Sequence, residues 1–192
     1  MSRAKGPDWA GRSERVAKRL EERAALTDTG PVMDAAAAFL AVRPRSVAET
    51  RRRLRHLGYP QPLVDQVVER LIEMSYLDDA AFARAWVESR DRAKPRGESG
   101  LRRELALKGV SRQVVDEVLT ERADGATDEN PNRVAAVALL SRKRSALERE
   151  PDPRKLRQKA YALLARSGFD PETCRDVSRA FASTADSAED DG

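Results

Sequence analysis

Apolar residues return every three or four positions through most of the chain, as in Val47, Leu54 and Leu57, then Val64, Val67 and Leu71. That spacing keeps one face of a helix dry and leaves the other to polar side chains. Alternating runs rich in Val, Ile and Thr, which would mark strands, are absent from the sequence. Ala, Leu, Arg and Glu dominate instead, and all four favour helices. The pattern predicts an all-α protein.

A helix–Gly–helix pattern occurs three times, centred on Gly58, Gly109 and Gly168. Leu54, Leu105 and Leu164 each stand four residues before the glycine, and Tyr59, Val110 and Phe169 directly after it. Val64 and Val67, Val115 and Val118, and Cys174 and Val177 then fall at matching positions. Each glycine fits the C′ position, where a left-handed backbone costs little without a Cβ. A new helix starts at once, with Ser111 or Asp170 as N-cap and Pro171 at the first helical position. Pro60 offers no side-chain cap, whereas Ser46 and Glu49 form a capping box upstream.

An earlier apolar helix precedes each pair, with start signals at Asp78 and at Asn130-Pro131. The expectation is an elongated tandem array of three three-helix repeats, over residues 34–77, 78–127 and 128–183. The mixed-charge segment 1–33 and the acidic tail 184–192 are expected to be disordered.

Composition narrows the chemistry. Aromatics are 5% of the chain, so the core must be built from Leu, Val and Ala. A net charge of +4 permits an anionic partner without demonstrating one. One Cys and one His allow no internal disulfide and no Cys/His metal site. No apolar run is long enough for a membrane span and no apolar signal region opens the chain, so a cytoplasmic protein is expected. A monomer is the default, and no cofactor is expected.

The stretch from Tyr76 to Val110 is more specific. Tyr76, Leu77, Asp78, Asp79, Phe82, Ala83, Trp86 and Arg90 are followed by Gly97, Leu101, Glu104, Leu105, Lys108, Gly109 and Val110. This ordered string resembles the signature of the RecX family, bacterial regulators of the RecA recombinase. The resemblance spans about residues 34 to 183, strongest in the middle repeat. It implies three tandem three-helix repeats. It also implies a protein that lodges in the groove of the RecA–DNA filament and inhibits filament growth, ATPase and strand exchange.

The arginines of "RRRLRHLG" are the first candidates for such a contact. A helical wheel puts Val47, Thr50, Leu54 and Leu57 on the core stripe, with Arg45, Arg52, Arg55 and His56 opposite. Arg51 and Arg53 flank the stripe. Arg103 takes the place of Arg52 in the second repeat, beside Arg102, and Arg142, Lys143 and Arg144 form a third basic run. One reading is a solvated face in an Arg-rich chain. The other is a basic strip against an acidic filament surface and its DNA phosphates, single- or double-stranded, which Arg forks grip in bidentate fashion.

The remaining candidates are structural. Phe82 and Trp86 read as a core stripe, Asp78-Asp79 as helix capping, His56 as exposed and Cys174 as buried. "GESG" has neither phosphate-loop spacing, and no active site is evident. A stand-alone helical DNA-binding protein is the alternative function. Against it, the helices after Gly58 and Gly109 carry acidic residues where a recognition helix would read bases. A peptide-binding scaffold is a third possibility.

Overall fold

In the computed structural model, which describes residues 9–125 and 130–189, ten helices and no strand occur among those residues. They are α1 (Trp9–Ala24), α2 (Gly30–Leu40), α3 (Val47–His56), α4 (Gln61–Glu73), α5 (Asp79–Ala93), α6 (Glu98–Leu107), α7 (Arg112–Asp124), α8 (Pro131–Leu147), α9 (Pro153–Arg166) and α10 (Pro171–Glu189). Helices α2–α4, α5–α7 and α8–α10 form repeats 1, 2 and 3. Each repeat has its own apolar cluster, centred on Leu54 and Val64, on Leu101 and Leu105, and on Leu140 and Leu164. The chain divides into two compact units, Met1–Asp79 and Ala80–Gly192.

All three glycines adopt the left-handed backbone, with φ of +89° at Gly58, +79° at Gly109 and +88° at Gly168. The N–H of Tyr59, Val110 and Phe169 donates back to the carbonyl of Leu54, Leu105 and Leu164. The glycine N–H groups donate to Arg55, Ala106 and Ala165. This double closure is the Schellman arrangement, and it satisfies carbonyls the helix end would leave open. The caps follow the sequence as well. Ser46 and Glu49 form the capping box, Ser111 accepts from the Val114 N–H, and Asp170 accepts from the Thr173 N–H. Cys174 is fully buried, and burial followed by the nearby Asp170 raises its thiol pKa.

Several expectations are corrected. The segment 1–33, expected to lack structure, carries α1 and the start of α2. Good helix formers build α1, and its end is anchored: Arg23 donates to the Leu57 carbonyl at 3.0 Å and lies over the Tyr59 ring. Helix α2 begins at Gly30 rather than near Asp34, because Pro31 suits a first turn and Val32 is fully buried. Helix α10 continues to Glu189, into the expected tail, and residues 1–8 and 190–192 lie outside the described residues.

Within the second unit, repeats 2 and 3 join at three places. Arg122 grips Asp91 with two hydrogen bonds of 2.8 and 2.9 Å and also reaches Asn132 and the Pro131 carbonyl at the start of α8. Arg142 on α8 donates to the Arg92 and Ala93 carbonyls at the end of α5. The start of α6 sits on the Gly168 turn, with the Gly97 N–H donating to Ser167 and the Ser99 N–H to Gly168, both at 3.2 Å.

Candidate functional site

The predicted basic residues fall into two groups once their partners are known. Arg52, Arg55 and Arg103 are exposed, and among the described residues they have no ion pair or side-chain hydrogen bond. Lys143 is likewise exposed and unpaired. Arg52 and Arg103 hold equivalent positions, each six residues before its turn glycine and on the face opposite the buried leucine.

The other basic candidates are engaged. Arg102 pairs with Glu98 one turn earlier and with Asp116 across on α7. Arg144 pairs with Glu148 at 3.2 Å and lies near the Phe181 ring. Arg142 is exposed but engaged: it reaches across to cap α5, because a guanidinium satisfies orphan carbonyls at the negative end of a helix. Arg45 lies before the N-cap Ser46, not on the helix face assigned to it from the wheel. It stacks at 4.1 Å from the Phe39 ring centroid, which half-buries it. Burial and then the Arg43 charge hold its pKa below the ordinary value, with Arg53 adding and Glu49 opposing.

Of the flanking pair, Arg51 reaches Asp65 on α4 at 3.4 Å, and Arg53 lies 5.9 Å from the Phe39 ring. The core stripe is placed as the wheel gives it: Thr50 and Leu54 are fully buried, while His56 is exposed.

The family-signature residues do different jobs. Leu77, Phe82 and Leu105 are core, whereas Tyr76 is 66% exposed, beside the likewise exposed Ile72 and Met74. Asp79 opens α5, and its carboxylate accepts from the Val47 N–H at 2.9 Å. Burial raises the Asp79 pKa, and the nearby Asp78 adds to that.

Trp86 is only partly core. Its indole N–H donates to Glu104, and Arg90 and Lys108 lie 4.4 and 5.0 Å from its ring centroid. Glu104 also accepts from Arg90 and Arg96. Burial pushes the Glu104 carboxyl upward, but hydrogen bonds from Arg90, Trp86 and Arg96 outweigh it and hold the pKa below the ordinary value. Sequence reasoning missed this network. Trp86 and Arg90 are one turn apart on α5, but Glu104 sits on α6, and no helical register ties it to them.

Among the described residues no group of His, Cys, Asp and Glu could hold a metal ion, and no helix is long and apolar enough to cross a membrane.

Comparison with known proteins fits this architecture. Residues 33–71 match the family model "RecX, first three-helix domain", and residues 78–119 match "RecX, second three-helix domain". The chain is 33% identical to the regulatory protein RecX of Prosthecochloris aestuarii over 153 residues, covering 78% of this chain and 92% of that one. It is 33% identical to the regulatory protein RecX of Mycobacterium sp. strain JLS over 140 residues, covering 72% and 75%. The crystal structure of RecX from Lactobacillus salivarius superposes with a TM-score of 0.67 at 17% identity, over 80% of this chain and 96% of that one, a likeness of fold. Two matched domains, relatives matched over three quarters or more of their length and a shared helical-repeat fold lead to one conclusion: this chain belongs to the RecX family of regulatory proteins.

Proposed function

We propose that this protein regulates the RecA recombinase by binding the RecA–DNA filament and inhibiting its growth, ATPase and strand exchange, in recombination and DNA repair in the cytoplasm. It acts as a monomer, by binding rather than by catalysis and without a cofactor. The observation that carries the surface assignment is the pairing pattern of the arginines. Arg52, Arg55 and Arg103 keep their guanidinium groups free for a partner, whereas Arg102, Arg142 and Arg144 already engage carboxylates or carbonyls of this chain. Open guanidinium groups can form bidentate bonds to carboxylate or phosphate.

The test is RecA's ATPase and strand exchange on single-stranded DNA, with this protein titrated from well below equimolar. Inhibition at substoichiometric amounts is expected, as blocked filament growth requires. A variant with Arg52→Glu, Arg55→Glu and Arg103→Glu should keep its helicity and need at least about tenfold more protein for the same inhibition. A well-folded triple variant that inhibits like the wild type rejects this surface. No inhibition by the wild-type protein rejects the filament reading itself.

A further inference from the structure

The α9–α10 hairpin copies the α3–α4 and α6–α7 hairpins around its glycine but inverts their charge. Seven residues before and after the glycine, repeat 1 has Arg51 and Asp65, and repeat 2 has Arg102 and Asp116. Both pairs are joined across the hairpin as ion pairs. Repeat 3 has Tyr161 and Arg175 at those positions, so the pair is gone. Eleven residues out, Val47 and Glu69 in repeat 1 and Glu98 and Thr120 in repeat 2 give way to Arg157 and Arg179.

The result is a cleft of about 300 Å³ lined by Arg157, Gln158, Tyr161, Arg175, Ser178 and Arg179. No carboxylate lines it. The cleft on α6–α7 is different, because Asp116 sits among its arginines and pairs with Arg102 and Arg112. Arg157, Arg175 and Arg179 are exposed and form no ion pair among the described residues. Tyr161 is half-buried, packing on the repeat 3 core while lining the cleft.

Three uncompensated guanidinium groups around one ring point to a defined chemistry. We infer that this cleft binds single-stranded nucleic acid, with backbone phosphates on Arg157, Arg175 and Arg179 and a base against the Tyr161 ring. Arginine forks match phosphate oxygens. An aromatic ring stacks any base, and the Gln158 amide can donate to and accept from a base edge. An acidic peptide would use the arginines and leave the ring and amide idle. The inference goes beyond the filament reading and stands without it, since its ligand is the strand alone.

The experiment is fluorescence anisotropy of a labelled oligothymidylate with the full chain and no recombinase, over a series of salt concentrations. Tyr161→Arg with Arg175→Asp rebuilds the ion pair of repeats 1 and 2, so helicity should be kept, with the melting temperature lowered only by the lost packing of the Tyr161 ring. Oligothymidylate affinity should fall about tenfold or more, and the salt slope should shrink by roughly 0.7 for each phosphate that is no longer neutralised. Tyr161→Leu keeps all three arginines and should still weaken oligothymidylate binding roughly tenfold. If the double variant loses helicity, Arg157→Ala with Arg179→Ala carries the same expectation, since both residues are exposed.

Unchanged oligothymidylate binding in these variants overturns the site. Polyglutamate bound as tightly as the oligomer, and indifferent to Tyr161→Leu, makes the cleft a docking site for acidic protein instead. Thymidine monophosphate competing as well as the oligomer makes it a mononucleotide pocket. RecA inhibition, measured separately, can fail without touching any of these results.

Discussion

The turns at Gly109 and Gly168 are the same local structure in different surroundings. Both glycines are left-handed, and both are closed by the same pair of backbone hydrogen bonds. Gly109 is exposed, next to a Leu107 that is 73% exposed. Gly168 is buried beneath the start of α6, so close that an added Cβ would lie 2.2 Å from the Gly100 nitrogen. Gly58 is intermediate, with Leu20 of α1 beside it: an added Cβ would lie 2.7 Å from the end of that side chain. Local sequence thus builds the turn, and the rest of the fold decides what the turn is used for.

That difference predicts a graded series. Gly168→Ala should be the most damaging, because the left-handed cost of about 1–2 kcal/mol adds to a backbone clash that only separation of α6 can relieve. A loss of about 3–4 kcal/mol in the second unit is expected by chemical denaturation. Gly58→Ala adds to the same backbone cost a contact with a flexible side chain, about 2 kcal/mol in all. Pairing it with Leu20→Ala should recover part of the loss. Gly109→Ala meets only the backbone cost, about 1–2 kcal/mol, and Gly109→Val somewhat more because a branched Cβ resists positive φ. Equal losses at all three glycines would show that their surroundings do not differ as described.

The junction over Gly168 can also be loosened from the side. Arg96 donates to Glu104 at 3.1 Å and to the Ser167 hydroxyl at 3.4 Å, so Glu104 steadies a residue that touches the turn. Glu104→Gln should cost about 2 kcal/mol, since Arg90 and Arg96 lose their shared counter-charge in a half-buried place. The pH dependence has a definite sign. The folded pKa of Glu104 lies below the ordinary value, so its stabilisation is complete above the unfolded pKa and lost as pH falls through the folded one. Wild type should therefore lose more stability than Glu104→Gln on acidification below about pH 4.5, the ordinary glutamate range. Parallel acid-unfolding curves for the two proteins would count against the network.

What could be read from the sequence was what neighbouring residues determine. The three glycine turns, the Ser46–Glu49 box, the caps at Ser111 and Asp170 and the stripe of Thr50 and Leu54 all depend on residues within about a turn of each other. Features made by distant segments stayed hidden. "GESG" carries no obvious instruction, yet Gly97 and Gly100 are small because the Ser167–Phe169 backbone lies against them. Arg142 stands in a basic run that resembles a surface strip, but its target is the end of α5 on another repeat. The helix α1 was missed because its anchor, Arg23 on Leu57 and Tyr59, joins residues far apart in the chain. The cleft of repeat 3 could have been found, because aligning the three repeats shows Tyr161 and Arg175 replacing the Arg–Asp pairs.

A fourth turn of this kind lacks the glycine. Just past the end of α4 and its C-cap Met74, Ser75 has φ +58° and is the one non-glycine residue with positive φ among those described. Its N–H donates to the Ile72 carbonyl and that of Tyr76 to the Leu71 carbonyl, both at 2.9 Å, which repeats the closure at Gly58, Gly109 and Gly168. A serine carries the left-handed penalty that glycine avoids. Ser75→Gly removes it but gives the unfolded chain more freedom, which offsets part of the gain. The net expectation is a stabilisation of about 0.5–1 kcal/mol, visible as a higher melting temperature. Ser75→Ala should gain nothing, because it keeps the Cβ. If alanine stabilises as much as glycine, the left-handed backbone at residue 75 is not what the serine costs.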